Sequence, residues 1–279
     1  MAGELVALLW IPFLMCLVLT GIHAYLGVHV LAREVVFVDI ALAQIAALGA
    51  TGAFLFGYDL DTWESYLSGL TATVLGALVL ALTRTRQRHV SQEAIIGIVY
   101  AVSSAGAVLL ADRAPHGADH VRAMLVGSLL AVRPAEVAKV AALYAVVGLL
   151  HWLCRRPFFL ISIDPAAAYR EGWRVRLWDF VFYASFGVVV TSSVRVAGVL
   201  LVFAYLIVPA LAGLAYGRRV GARLAIGWAF GALVSVTGMT ASAALDLPTG
   251  ATVVCTFGLT LLAGALAARL VGWRPGTAG

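Results

Sequence analysis

The chain has 279 residues, of which 62% are hydrophobic and 12% are charged, and its mean hydropathy is +0.99. Soluble domains carry about 45–50% apolar and about 25% charged residues. The composition therefore indicates a protein of the lipid bilayer and excludes disordered proteins, nucleic-acid-binding proteins and secreted disulfide scaffolds. We interpret the net charge of +5 as membrane topology.

Nine apolar runs are long enough for transmembrane helices, which need about 20 residues each. Charged residues separate these runs. The sixth and seventh runs are separated only by Val194-Arg195-Val196, so eight spans are the alternative. The pattern predicts an all-α polytopic membrane protein with one transmembrane domain over 1–279. The runs are 5–31, 35–56, 65–83, 93–111, 136–153, 178–194, 197–215, 223–245 and 249–270.

The basic residues predict the orientation of these spans. With the N-terminus outside, fourteen of the 19 Lys and Arg residues fall in the inner segments. Cytoplasmic loops carry such an excess of positive charge. We therefore expect the N-terminus outside and the C-terminus inside.

The sequence lacks the motifs of an ATPase or of common hydrolases. Its single lysine is Lys139, and no Gly-Lys-Ser/Thr sequence is present, so a Walker A loop is excluded. Neither an HExxH nor a GxSxG motif occurs, which argues against an intramembrane enzyme. Uphill transport would then draw its energy from another subunit or from an ion gradient.

Three polar residues fall inside predicted spans, where such residues are candidates for function. Asp39 lies about 6–7 Å and Gln44 about 14 Å along the second span, and His23 on the first span has a depth similar to that of Gln44. The three are candidates to line a transport path. Alternatively, His23 and Gln44 bond a neighbouring helix, and Asp39 caps its helix or pairs with Arg33.

A long outer loop carries His116, Asp119 and His120. On a helix the two histidines, four residues apart, would share a face beside the carboxylate, and this donor set suits Zn, Mn or Fe. Pro115 and Gly117 favour a solvated turn instead.

The loop between the fifth and sixth spans predicts a short cytoplasmic helix. Asp164 suits the N-cap, Pro165 the first helical position and Gly172 the C-terminal stop. Such a helix, flanked by arginines, either lies at the membrane interface or docks a motor subunit.

Several stretches together resemble the ABC-3 family, the permease subunits of manganese, zinc and iron ABC importers. They occur in the order and spacing of that family and cover most of the chain. They are the E...IGI run at 93–97, DPAAAYREGW at 164–173 with RLWD at 176–179, RVAGVLLV at 195–202 and DLPTGA at 246–251.

The resemblance implies a type II ABC importer permease fold in a bacterial-type inner membrane. It implies that two copies, expected to be a homodimer, pair around a path for a divalent metal ion. It further implies that a periplasmic or lipid-anchored metal-binding protein would deliver the ion and that a separate ATP-binding subunit would hydrolyse ATP. The chain itself would be no enzyme and would hold no cofactor. The docking helix is assigned to Asp164, Pro165, Ala168, Arg170 and Gly172.

The sequence departs from the family at the ion path. The family carries D-x-x-x-H early in the second span, but alignment on Gly49 places Ile40 and Gln44 at these positions. Asp39 is adjacent to the first and points about 100° away from it on a helix. Either His23 or Asp39 substitutes, or the cargo is a different ion or a chelated metal. A gradient-driven carrier of a metal ion or small solute is the alternative function.

Overall fold

The structure is a computed structural model that describes residues 2–59, 62–84, 91–113 and 127–270. Within these residues the chain forms eleven α-helices and one short 3₁₀ helix, Leu129–Ala131, and no β-strand. The α-helices are α1 (Ala2–Ala32), α2 (Val38–Leu55), α3 (Trp63–Leu82), α4 (Gln92–Ala111), α5 (Pro134–Leu153), α6 (Arg155–Ile163), α7 (Pro165–Arg170), α8 (Val175–Ala197), α9 (Val199–Tyr216), α10 (Val220–Leu245) and α11 (Thr249–Leu270).

In the described part of the chain, nine helices are long and apolar enough to cross a membrane, namely α1–α5 and α8–α11. The expected all-helical polytopic fold is confirmed, with nine spans instead of eight. The sixth and seventh spans are separate because the chain breaks at Gly198. This residue has φ +76°, a conformation that glycine adopts without the steric cost of a side chain.

Hydroxyl side chains inside the spans bond to the backbone of their own helix. Thr20 Oγ1 donates to the Cys16 carbonyl at 2.7 Å, and Ser193 Oγ donates to the Val189 carbonyl at 2.6 Å. The hydrocarbon core offers no water to satisfy polar groups. These bonds to the carbonyl four residues earlier let hydroxyls lie within apolar helices.

The helices form two compact units, which we describe separately. The first unit contains α1, the first half of α5, and α9–α11. In it, α9 packs against α10 and α11, and the Tyr205 and Ser235 hydroxyls share a buried hydrogen bond of 2.7 Å. The second unit contains α2–α4, the rest of α5, and α6–α8.

The helices of the first unit approach closely at glycines. A Cβ atom at Gly27 would lie 2.0 Å from the Leu206 carbonyl oxygen. The two GxxxG pairs at 213/217 and 227/231 are also contact sites, since a Cβ at Gly213 would lie 2.3 Å from the Arg223 carbonyl oxygen. A Cβ at Gly231 would lie 2.5 Å from Thr20 Cγ2. Small residues at such positions allow membrane helices to pack backbone against backbone.

The second unit is organised around α2, which packs against α3 and α4. A Cβ at Gly49 of α2 would lie 2.7 Å from the Ser68 carbonyl oxygen, so α2 and α3 also approach at a glycine. The Thr73 hydroxyl of α3 is 3.2 Å from the Thr191 hydroxyl of α8. The unit therefore holds α8 beside the helix pair α2–α3.

Two glycines of α1 provide a matched test of this packing. We expect Gly27→Ala to destabilise the protein by about 1–3 kcal/mol, the usual cost of overpacking, because its Cβ would overlap the Leu206 carbonyl. Gly21→Ala should be neutral or stabilising, because a Cβ there meets nothing within 4 Å and alanine favours the helix. Thermal unfolding in detergent measures both, and equal melting temperatures would contradict the assigned contact.

Candidate functional site

Asp39 is a buried acidic residue at the start of a span. It lies in the first turn of α2 and is 1% exposed. Neither carboxylate oxygen has a hydrogen-bond partner among the described residues. A buried carboxylate without a partner is costly, whereas a cation bound beside it would compensate its charge.

The start of α2 is held by a second carboxylate. The Phe37 N–H donates to Glu93 Oε1 of α4 at 3.0 Å, and Phe37 is the N-cap residue of α2, whose own side chain makes no capping bond. The positive end of the helix dipole also favours the negative charge of Asp39. Sequence reasoning used Glu93 only as part of a motif and missed this role, because the bond joins residues 56 positions apart.

Gln44 lies on the same helix as Asp39 but on a different face. The side chain of Gln44 is half-buried. Five residues along an α-helix correspond to a rotation of about 140°, so α2 does not bring the two side chains together on one face.

His23 is fully buried in α1. Its Nδ1 donates to the Leu19 carbonyl at 2.8 Å, and its ring contacts the Tyr144 ring edge-on at 6.0 Å between centroids. A neutral histidine that donates from Nδ1 carries its lone pair on Nε2, through which it can bind a metal. His23 belongs to the first unit and Asp39 and Gln44 to the second, so their common role stays a prediction.

Residues 2–59, 62–84, 91–113 and 127–270 contain no group of three or more His, Cys, Asp and Glu side chains that could hold a metal ion. The predicted outer cluster of His116, Asp119 and His120 lies outside these residues. That prediction stays open.

Arg33 pairs with Asp179, and the suggested pair of Arg33 with Asp39 is wrong. Arg33 Nη1 donates to Asp179 Oδ1 at 2.8 Å. Arg84, which lies just after α3, also binds Asp179. These pairs join residues 146 and 95 positions apart, so no local sequence pattern indicates them.

The predicted short helix is present as α7, and its N-terminal end is capped as the sequence indicates. Asp164 Oδ1 accepts from the Ala167 N–H at 2.8 Å, and Pro165 occupies the first turn. Arg170 Nη2 lies 3.7 Å from Asp164 Oδ2, with both side chains at least half exposed. Such an exposed pair adds little stability, so the cap is the main local signal.

The C-terminal end of α7 is a Schellman motif. The Trp173 N–H donates to the Ala168 carbonyl at 3.0 Å, and the Gly172 N–H donates to the Tyr169 carbonyl at 3.2 Å. Gly172 has φ +79°, which this motif needs at its glycine. Both ends of α7 are thus encoded within ten residues of sequence.

One face of α7 is buried and the other is exposed. Ala168 is 0% exposed and packs with Ile161 and Val175. The charged side chains on α7, at its ends and beside it are exposed to solvent: Arg156, Asp164, Arg170, Glu171 and Arg174. The helix is therefore anchored to α6 and α8 and offers a polar surface.

Comparison with known proteins identifies the family. The model of the ABC 3 transport family matches residues 7–268. The chain belongs to the ABC 3 transport family. A solved structure, PsaBC from Streptococcus pneumoniae in complex with Fab, matches with a TM-score of 0.77 and 20% identity over 94% of each chain.

Two relatives in this family are named for manganese. The manganese import system permease protein ScaB of Streptococcus parasanguinis is 22% identical over 82% of this chain and 80% of its own length. The manganese transport system membrane protein MntC of Halalkalibacterium halodurans is 25% identical over 82% of this chain and 76% of its own length. These relatives each cover 82% of the chain, and the family model covers residues 7–268.

The cap of α7 can be tested by hydrogen exchange. Loss of an N-cap costs about 1 kcal/mol, so Asp164→Ala should accelerate exchange of the α7 amides by roughly fivefold. Asp164→Asn keeps the cap and removes the charge, so it should exchange as the wild type does. Equally fast exchange in both variants would show that the charge, and not the cap, holds the helix.

Proposed function

We propose that the chain is the membrane-spanning permease subunit of an ATP-driven importer of divalent metal ions, with manganese as the cargo. The observation that carries the proposal is the family match over residues 7–268 in a chain with nine apolar helices. The relatives named for manganese import support this cargo. The missing Walker A sequence supports ATP hydrolysis by a separate chain.

The donor atoms of α2 fit manganese better than zinc. Asp39 supplies a carboxylate and Gln44 an amide oxygen, and oxygen ligands suit Mn²⁺, whereas imidazole and thiolate suit Zn²⁺. Because Asp39 has no partner among the described residues, its oxygens can accept an ion without first breaking a hydrogen bond. We assign Asp39, Gln44 and His23 to the ion path, and His116, Asp119 and His120 to the outer route into it.

The partner for α7 is an ATP-binding subunit at the cytoplasmic face. The helix is anchored by Ala168 and capped at both ends, so it can transmit force as a rigid element. Its exposed charged side chains provide a surface for a partner. We further propose a second copy of this chain and a metal-binding protein at the outer face, which together complete the importer.

Transport by the complete assembly tests the proposal. The chain, co-purified with its ATP-binding subunit in proteoliposomes, should take up Mn²⁺ only when ATP is supplied. Loss of a residue that merely supports a metal ligand costs about 10–100-fold, so Asp39→Asn should lower uptake by at least about tenfold. Asp246→Asn is the matched control, because Asp246 is exposed beyond the end of α10.

Three outcomes would contradict parts of this proposal. Uptake driven by an ion gradient without the ATP-binding subunit would favour the secondary carrier. Wild-type uptake in Asp39→Asn would remove Asp39 from the ion path. Unchanged uptake in Gln44→Ala and His23→Ala would remove those residues as well.

The orientation of α7 is open to direct measurement. In a chain whose three native cysteines are replaced by alanine, Glu171→Cys should react with a membrane-impermeant thiol reagent only from the cytoplasmic side. Glu64→Cys at the start of α3 should react only from outside, because α3 runs inward when the N-terminus is outside. Labelling of Glu171→Cys from the outer side would overturn the docking role of α7.

A further inference from the structure

Asp179, in the second turn of α8, binds two arginines that come from different segments of the second unit. Its side chain is 0% exposed; Oδ1 accepts from Arg33 Nη1 at 2.8 Å and Oδ2 accepts from Arg84 Nη1. Arg33 is 2% and Arg84 18% exposed. Arg33 lies in the connection between α1 and α2, and Arg84 lies just after α3.

Arg33 extends these contacts to α6. Its Nε donates to Ser162 Oγ at 2.8 Å, and its guanidinium lies 4.0 Å from the centroid of the Phe182 ring of α8. Ser162 stands two residues before the N-cap of α7. We call Arg33, Arg84, Ser162 and Asp179 the Asp179 cluster; it joins four segments of the chain through charged hydrogen bonds, which are the strong kind.

The same two helices that carry Ser162 and Asp179 also hold α7. Ala168 of α7 packs on Ile161 of α6 and Val175 of α8. Ile161 is next to Ser162, and Val175 lies one helical turn before Asp179 on the same face. A displacement of α7 therefore reaches the Asp179 cluster through a single layer of packed side chains.

The Asp179 cluster is not explained by a gain in folding stability alone. Taking charges out of water costs about as much as their mutual attraction returns, and an apolar replacement often stabilises as well. Burial lowers the pKa of Arg33, whereas the Asp179 carboxylate raises it, so Arg33 depends on Asp179 to keep its charge at low cost. We therefore interpret the cluster as fixing the position of the four segments relative to one another.

We propose that Asp179 is a positioning residue for transport, which links movement of α7 to the inner end of α3 and to the start of α2. The link reaches the ion path, because Arg33 precedes the buried Asp39 by six residues. This inference depends on the proposed function, in which an ATP-binding subunit moves α7. Its measurable consequence is the number of metal ions transported for each ATP hydrolysed.

The experiment measures Mn²⁺ uptake and ATP hydrolysis in proteoliposomes with the complete permease–ATPase complex. Allosteric links between sites typically correspond to a factor of about 5–150. Asp179→Asn and Arg84→Gln should therefore lower the number of Mn²⁺ ions per ATP by about fivefold or more, while hydrolysis continues. Arg84→Lys, which keeps the charge, should retain most of the wild-type ratio, and the exposed Arg113→Gln at the end of α4 serves as the matched control.

The ratio separates positioning from stability. A purely structural role would reduce the amount of assembled complex, but each assembled complex would still transport the wild-type number of Mn²⁺ ions per ATP. That result in Arg84→Gln would overturn the inference. If Asp179→Asn does not assemble, Arg84→Gln decides, because Arg84 is partly exposed. A wild-type complex that takes up no Mn²⁺ with ATP would count against the proposed function instead.

Discussion

The hydrocarbon interior of a bilayer offers no hydrogen-bond partner, so each polar group in a span must find one in the protein. The described spans follow this rule by local means: Thr20, Thr51 and Thr73 bond to the carbonyl four residues earlier. Longer-range bonds satisfy others, as in the pair of His151 with the Ser185 hydroxyl. Against this background Asp39 stands out among the described residues, because both of its carboxylate oxygens are buried without a hydrogen-bond partner. In the proposed importer, a carboxylate of this kind is available to a cation that passes through the span.

Features encoded within a few neighbouring residues could be predicted from the sequence. Apolar runs gave the nine spans, and the caps at Asp164 and Gly172 gave α7, because hydrogen bonds within one turn determine both ends. The positions at which helices pack closely were harder to predict from the sequence. Among 28 glycines the sequence does not distinguish Gly27, which touches the Leu206 carbonyl, from Gly21, which touches nothing within 4 Å. The distinction depends on which helix lies opposite.

The partners of the charged residues could not be predicted, for the same reason. Arg33 and Asp39 are close in the chain, and nearness suggested a pair, yet Arg33 binds Asp179, 146 positions away. Two arginines bind the one buried carboxylate of this cluster at the same time, because each of its two oxygens accepts from a different arginine. Asp39 is left for another role. Because the expected pair of Arg33 with Asp39 is wrong, Asp39 has no arginine partner among the described residues, and this is the reason for considering it as a site.

The connection before α2 is where the two proposed roles meet. Arg33 is fixed by Asp179, and the Phe37 N–H is fixed by Glu93, so the chain is held at two points just before Asp39. Between them Glu34 adopts φ +56°, which is uncommon for a residue with a side chain and costs about 1 kcal/mol or more. Metal ligands must lie within about 0.2 Å of their preferred distances. In the proposed ion path, a small movement of either anchor would therefore change how firmly Asp39 holds the ion. One anchor, Asp179, lies a single turn of α8 from Val175, against which α7 packs.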